Sequence, residues 1–119
     1  MAKKLDLGKM GEKQAQVYFE SKGYVLLAQN FRAGRAEIDL IFSKDDTLVF
    51  VEVKTRSSNF FGEPEAFLTT KQETNIVAGA EAYIEQINWQ GVIRFDVVAL
   101  LWRAATQTWE IDHFEDAFH

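Results

Sequence analysis

Apolar residues near the start of the chain recur at helical spacing, and this pattern predicts a first helix over residues 6–22. Its apolar positions are Leu7, Met10, Ala15, Val17, Tyr18 and Phe19. Gly23 is a typical stop signal. A second helix is expected to run from Thr70, whose hydroxyl can cap it, to about Gln86, because one face of this segment is apolar.

Five further segments have the apolar, β-branched composition of strands. They are Tyr24–Asn30, residues 35–43, residues 47–54, Val92–Leu101 and Thr108–Phe114. A polar turn, Ser43–Thr47, joins the second strand to the third, and the nearly continuous apolar character of the fourth predicts an internal position in the sheet. The resulting order, αβββαββ, predicts one layered α/β domain over residues 1–119, with a mixed sheet and one crossover helix.

Composition narrows the class of protein. The chain has 119 residues and no cysteine, which excludes disulfides, thiolate zinc sites and a cysteine nucleophile. It contains no apolar run near the roughly 20 residues of a membrane span, and Met1–Asp6 lacks the apolar stretch of a secretion signal. We therefore expect a soluble, cytoplasmic protein with no membrane partner.

The net charge of −5 is unevenly distributed. Residues 1–60 hold ten Lys/Arg and eight Asp/Glu, a charge of +2, whereas residues 61–119 hold three Lys/Arg and ten Asp/Glu, a charge of −7. Nucleic-acid affinity depends on clustered cations. If DNA is the partner, the N-terminal half must supply the contacts.

Three charged residues interrupt the second and third strands, where burial of a charge is costly unless it is paired or binds a metal. Glu52 and Lys54 are two apart and share a face. If the hairpin turns around Asp45, opposed residue numbers sum to 90 or 91, which puts Asp39 opposite Val51 or Glu52. A sum of 91 places the Asp39 and Glu52 carboxylates side by side, where a hard cation such as Mg²⁺, or Mn²⁺, would relieve their repulsion.

An Asp and Glu-x-Lys set of this kind can hydrolyse phosphodiesters. The carboxylates hold a metal that activates water and neutralises phosphate charge, and the lysine stabilises charge in the transition state. Alternatively, the three residues form a structural ion-pair cluster on the sheet. We expect the two histidines, His113 and His119, to lie near a strand end and in the tail, without a catalytic role.

An ordered set of motifs spans almost the whole chain. It comprises Gly11-Glu12, Ala36-Glu37-Ile38-Asp39-Leu40-Ile41, Val49-Phe50-Val51-Glu52-Val53-Lys54-Thr55-Arg56, Phe61-Gly62, Lys71-Gln72 and Arg94-Phe95-Asp96-Val97-Val98. This set resembles the bacterial YraN-like family of uncharacterised proteins, within the restriction-endonuclease-like PD-(D/E)xK nuclease superfamily.

The resemblance implies a restriction-endonuclease-like mixed sheet, an αβββαβ core plus a C-terminal strand, flanked by helices. It puts the metal ligands on Asp39 and Glu52 and the catalytic lysine on Lys54. A helix-1 acid, present in relatives that resolve Holliday junctions, would be Glu12. Three cations are candidates for phosphate contact, with plain surface charge as the alternative: Arg35, Arg56 and Lys71.

This chain departs from the family pattern at two places. Ala36 stands where a glycine is usual, and the segment Glu73–Glu81 of the second helix, typically rich in cations, has none. The primary hypothesis is a metal-dependent endonuclease acting on branched or irregular DNA, with a homodimer as the form that cuts two strands. The alternative is a nuclease fold that serves as a non-catalytic binding or assembly module.

Aromatic residues are expected mainly to pack. The three tryptophans, Trp89, Trp102 and Trp109, are interpreted as core or rim residues rather than base-stacking platforms. Phe60 and Phe61, in the loop after the third strand, are interpreted as an interface or core patch, with a lid or a wedge into unstacked bases as the alternative.

Overall fold

The computed structural model describes residues 6–57 and 68–118. The helices are α1 (Leu7–Ser21) and α2 (Thr70–Ile87), and the strands are β1 (Val25–Ala33), β2 (Ala36–Lys44), β3 (Thr47–Ser57), β4 (Val92–Arg103) and β5 (Thr108–Phe114). This is the predicted order αβββαββ. Three strands run two or three residues beyond their predicted ends, because pairing with neighbouring strands continues after the apolar pattern has faded.

The five strands form one mixed sheet in the order β1-β2-β3-β4-β5. All neighbours are antiparallel except β3 and β4, which are parallel and joined through α2. A parallel pair needs such a crossover because its strands enter the sheet from the same end. The predicted mixed sheet, with the fourth strand internal, is confirmed.

The β2–β3 hairpin has the register on which the candidate site depends. Leu40 lies opposite Val51 and Lys44 opposite Thr47, so opposed residue numbers sum to 91. The turn is made by Asp45 and Asp46, and Asp45 takes a left-handed conformation with φ 55°. Aspartate tolerates that region better than most residues. Of the two registers allowed by the sequence, the hairpin takes the one that brings Asp39 beside Glu52.

Each face of the sheet carries its own apolar cluster. On the α2 side, the buried residues are Ile38, Ile41, Leu48, Phe50, Ile76, Ala80, Tyr83, Phe95, Val97 and Phe118. On the α1 side, they are Ala15, Phe19, Leu40, Phe42, Val49, Val51, Val98 and Leu100. Side chains of successive strand residues point to opposite faces, so β3 and β4 contribute to both clusters.

Helix α1 approaches the sheet closely at one glycine. A Cβ atom built on Gly11 would lie 2.1 Å from Thr55 Oγ1, so no larger residue fits without displacement. The contact fixes the start of α1 against β3 and thereby sets the position of the next residue, Glu12.

The cap of α2 differs from the prediction by one residue. Thr69, not Thr70, is the N-cap: its hydroxyl accepts the Gln72 N–H at 3.1 Å, and Gln72 Oε1 accepts the Thr69 N–H at 2.8 Å. Such a reciprocal capping box needs a glutamine or glutamate three residues after the threonine. Thr69 satisfies that spacing, and Thr70 is followed at that distance by Glu73 but forms no such pair.

The tryptophans pack as expected. Trp89 lies against the α2-side cluster and Trp109 against the α1-side cluster. The rings of Trp102 and Trp109 are 5.1 Å apart across β4 and β5. The interpretation of these residues as core or rim aromatics is confirmed.

Some predictions concern other parts of the chain. Phe60, Phe61 and His119 lie outside the described residues. Over residues 6–57 and 68–118, neither helix is both long and apolar enough to cross a membrane.

Candidate functional site

The candidate site lies where β2 and β3 part. Their ladder ends at the pair Leu40–Val51, although both strands continue beyond it. Past this point, β2 pairs only with β1 and β3 only with β4. The Asp39 carboxylate occupies the opening, where its Oδ2 accepts the Val53 N–H at 2.8 Å. A side chain thus takes the place of a β2 backbone partner for Val53.

Glu52 lies against Asp39 in this opening. Burial, a hydrogen bond to Asp39 and the charge of Asp39 together raise the pKa of Glu52 to about 9, while the charge of Lys54 opposes the shift. A hydrogen bond between two carboxyl groups requires a proton on one of them. The pair therefore shares a proton at neutral pH in the absence of a cation, as two adjacent carboxylates must when no other positive charge lies between them.

A cavity of about 200 Å³ opens over the pair. Its lining residues are Arg35, Glu37, Asp39, Glu52, Gln72, Asn75 and Ile76. Arg35 is thus beside the carboxylates, as predicted for a substrate-contacting cation. Glu37 forms an exposed ion pair with Arg32, with 3.4 Å between Oε1 and Nη2. On the α2 wall the polar groups are two neutral amides: Gln72, which belongs to the Lys71-Gln72 motif, and Asn75, which no sequence pattern indicated.

The predicted helix-1 acid reaches the same region from α1. Glu12 Oε1 accepts a hydrogen bond from Asn30 Nδ2 at 3.2 Å. Burial raises the pKa of Glu12; the Asn30 bond opposes the rise, and the charges of Asp39 and Glu37 add to it. Asn30 lies in β1 directly across from Asp39 and has a positive φ of 48°. It is not paired in the β1–β2 ladder. Both strands are therefore irregular at the level of the site.

The predicted cations other than Arg35 differ in where they lie relative to the Asp39–Glu52 pair. Lys54 follows Glu52 on the same side of β3 and its charge acts on Glu52. Arg56 comes next on that side. Lys71 is exposed in the first turn of α2 and is not among the residues that line the cavity. The structure brings Arg35, Asp39 and Glu52 together at the cavity, and the charge of Lys54 acts on Glu52. None of Lys54, Arg56 and Lys71 is among the lining residues.

A second cleft, of about 360 Å³, runs along α1 beside Glu12. We call it the α1 cleft; its lining residues are Lys9, Glu12, Lys13, Gln16, Gln29, Asn30 and Leu40. Lys9 and Lys13 belong to none of the motifs along the chain. Their spacing of four residues, which puts them on one helix face with a glutamate between them, is the signal that could have found them.

The donor chemistry fits a hard divalent cation. The Asp39 and Glu52 carboxylates are oxygen ligands of the kind Mg²⁺ takes, together with water and substrate phosphate. Within the described ranges, no group of three or more His, Cys, Asp or Glu side chains is arranged to enclose a metal. A divalent cation could replace the single proton that the Asp39 and Glu52 carboxylates hold between them.

These features define a class: a mixed α/β domain with a five-stranded sheet and two helices, compatible with a restriction-endonuclease-like fold. Residues 11–100 match the family model described as "Uncharacterised protein family UPF0102". The chain belongs to this family, which is the YraN-like family predicted from the motifs.

Individual relatives agree along most of the chain. It is 47% identical over 93 residues to a UPF0102 protein of Cytophaga hutchinsonii, covering 78% of this chain and 82% of the relative. It is 41% identical over 119 residues to a UPF0102 protein of Parabacteroides distasonis, covering 100% and 97%. A UPF0102 protein of Flavobacterium psychrophilum is 40% identical over 119 residues, covering 100% and 98%.

Proposed function

We propose that this protein is a metal-dependent endonuclease that hydrolyses phosphodiester bonds of branched or irregular DNA. One observation carries the proposal: the carboxylates of Asp39 and Glu52 meet at the open end of the β2–β3 ladder, beneath a cavity. A purely structural ion pair would instead join opposite charges. Two like charges brought together in a partly buried opening are typical of a site that binds a cation.

Each residue has a task in this reaction. Asp39 and Glu52 would hold Mg²⁺ or Mn²⁺ as carboxylates, with the proton of Glu52 released to water. The bound ion would lower the pKa of a water molecule and neutralise phosphate charge. Lys54, next along the same side of β3, stabilises the negative charge that develops on the phosphate.

Arg35 and Glu12 complete the surroundings of the pair. Arg35 lines the cavity and would contact the substrate phosphate there. Glu12, whose pKa is raised mainly by burial and also by the charge of Asp39, is the candidate to accept a proton from water.

The cations of the α1 cleft suggest where the DNA backbone lies. The segment Glu73–Glu81 of α2 carries no cation, so α2 offers little to phosphate. Lys9 and Lys13 are exposed along the cleft that contains Glu12, and three neutral amides line it beside them. Backbone contacts from lysine and amide side chains position DNA without reading its sequence. Such contacts suit a DNA substrate that is recognised by its shape and not by its sequence.

The test combines metal binding with cleavage. Wild type, Asp39→Asn and Glu52→Gln are titrated with Mg²⁺ and Mn²⁺ by calorimetry, then incubated with a four-way junction and a linear duplex of the same sequence. Asp112→Asn, which removes an exposed carboxylate from β5, is the matched control. We expect wild type and the control to bind metal and to cut the junction in preference, and both site variants to do neither.

Two results would overturn the proposal. A wild-type protein that binds no divalent cation and cuts neither substrate cannot be the proposed enzyme. If such a protein still bound the junction in a salt-dependent way, the chain would be a nuclease fold serving as a non-catalytic binding module. Cleavage that persists in Asp39→Asn would place the reaction elsewhere.

A further inference from the structure

A third cleft, of about 540 Å³, lies at the opposite end of the sheet from the Asp39–Glu52 pair. We call it the tyrosine cleft; its lining residues are Tyr18, Lys22, Tyr24, Lys44, His113 and Glu115. Lys44 is five residues beyond Asp39 on β2, a separation of about 16 Å along an extended strand. The cleft therefore belongs to neither the metal pair nor the α1 cleft.

The floor of the tyrosine cleft is a buried charged network. Asp96, 0% exposed, is the only charged or polar residue in the described part of the chain with a fully buried position. It accepts hydrogen bonds from Arg94 Nε at 2.9 Å and Nη2 at 2.8 Å, and from the Asp116 N–H at 3.0 Å. Burial alone would raise the pKa of Asp96, but bonds from His113, Arg94 and the Asp116 backbone hold it below its usual value. Asp96 is thus a carboxylate.

The charge of Asp96 orients the imidazole of His113. His113 Nε2 lies 2.7 Å from Asp96 Oδ2, so Nε2 carries the proton and donates it to the carboxylate. In neutral His113, Nδ1 then accepts the Tyr18 O–H at 3.1 Å. Tyr24 Oη accepts a bond from Arg94 Nη2 at 2.8 Å, which uses a lone pair and not the hydroxyl proton. The buried network therefore fixes the orientation of the His113 and Tyr24 side chains at the wall of the cleft.

Two lysines from different elements complete the cleft. Lys22 Nζ lies 5.0 Å from the centre of the Tyr18 ring, and Lys44 Nζ lies 5.0 Å from the centre of the Tyr24 ring. Lys44 Nζ also donates to the Lys22 carbonyl oxygen at 2.9 Å, which engages one of its three protons. Cation–π contacts and this bond hold both ammonium groups at the cleft.

We propose that the tyrosine cleft binds the phosphate group of a ligand of nucleotide size. Among the lining residues, Lys22 and Lys44 outnumber Glu115, so the lining has a net positive charge in an acidic chain. The two ammonium groups and the Tyr24 hydroxyl, whose proton Arg94 does not use, are donors that phosphate oxygens take. The volume exceeds that of a phosphate and matches the range of small-molecule sites. The Tyr18 and Tyr24 rings form part of the wall beside the rest of the ligand.

The imidazole signals of His113 report on the cleft directly, because the chain has two histidines and His119→Gln assigns them. Inorganic phosphate, adenosine monophosphate and adenosine are titrated into the full chain, with chloride at matched ionic strength. We expect His113 to shift with both phosphates and not with adenosine or chloride, and the nucleotide to bind more tightly than phosphate. Binding should weaken by about tenfold for Lys22→Gln or Lys44→Gln.

Arg103→Gln is the matched control, since it removes an exposed cation from β4 that lines neither the tyrosine cleft nor the α1 cleft. A backbone amide spectrum establishes that each variant is folded. The proposal fails if His113 does not shift, if chloride gives the same shift, or if Lys22→Gln and Lys44→Gln bind as wild type does. Equal affinity for phosphate and the nucleotide would overturn the assignment of a nucleotide-sized ligand. Because Asp39→Asn leaves this cleft intact, the result is independent of nuclease activity.

Discussion

The carboxylate of Asp39 accepts a hydrogen bond from the backbone N–H of Val53 at 2.8 Å, across the point where β2 and β3 separate. One side chain thereby satisfies the backbone group that the open ladder exposes and presents its charge to Glu52. The Asp39 carboxylate therefore has a structural role, as the acceptor for Val53, and a proposed role as a metal ligand. Variants of Asp39 can separate these two roles.

Asp39→Asn and Asp39→Ala should differ in stability but not in metal binding. Both remove the charge that repels Glu52, whereas only asparagine keeps an oxygen that can accept the Val53 N–H. We expect the alanine variant to be less stable than the asparagine variant by about 1 kcal/mol, the usual contribution of such a bond. Urea unfolding measures the difference. Equal stabilities would contradict a structural role for the Asp39–Val53 bond.

Glu52 should make the metal-free protein less stable as pH rises. Its pKa is about 9 in the folded protein and has a reference value of 4.5, so between these values the folded state holds a proton that the unfolded state has released. The free energy of unfolding therefore falls with rising pH across this window. Urea unfolding in a chelator at pH 6 and pH 8.5 should show a larger decrease for wild type than for Glu52→Gln. A decrease of the same size in both proteins would exclude the shared proton.

Gly11→Ala should destabilise the protein through a clash. The added Cβ would lie 2.1 Å from Thr55 Oγ1, and overpacking of this kind costs about 1–3 kcal/mol. Thr55→Ala in the same chain should recover part of the stability, because it removes the two nearest atoms. Gly8→Ala is the control: its nearest neighbour is Asp6 Oδ1 at 3.4 Å, so helix propensity should stabilise it by up to about 1 kcal/mol. Thermal unfolding measures these variants, and a double variant no more stable than Gly11→Ala would rule out the clash as the cause.

Asp96 should dominate the response of stability to acid. Its pKa is lowered in the folded protein, so its contribution is present above the ordinary value of 3.8 and disappears as pH falls below it. Asp96→Asn leaves Arg94 without its buried partner and should cost about 3–5 kcal/mol at pH 7. Glu115→Gln, which removes the exposed partner of Arg94 at 3.0 Å, should cost under about 1 kcal/mol. Acid titrations followed by circular dichroism compare them, and similar destabilisation by both would contradict a buried role for Asp96.

Lys9 and Lys13 should govern the salt dependence of DNA binding. Removal of one phosphate-binding cation reduces the slope of log affinity against log salt by about 0.9 for duplex DNA. The double variant Lys9→Gln/Lys13→Gln should therefore lower that slope by about 1.8 and weaken junction binding at low salt. Arg103→Gln removes an exposed cation that lines none of these clefts and serves as the control. A slope no lower in the double variant than in Arg103→Gln would exclude the α1 cleft as the path of the backbone.

Much of the fold could be predicted because it depends on local patterns. Helical spacing in α1, the two-residue alternation of β2 and β3, and the turn at Asp45 are properties of short segments. The sequence allowed two values for the register of the β2–β3 hairpin. Burial of both hairpin faces decided between the two values, because a shift of one residue would turn each side chain to the other face. The cap at Thr69 was missed by one residue because Thr70 has the same chemistry.

The sequence by itself determined the order of elements, the hairpin and the shared face of Glu52 and Lys54, because each follows from the geometry of neighbouring residues. Only the tertiary structure decided that β2 and β3 separate after Leu40 and Val51, and that Asp39 fills the gap. It also joined Tyr18 to His113, 95 residues apart, over a buried Asp96. Contacts between distant segments depend on how the helices pack on the sheet, and no local pattern along the chain records that packing.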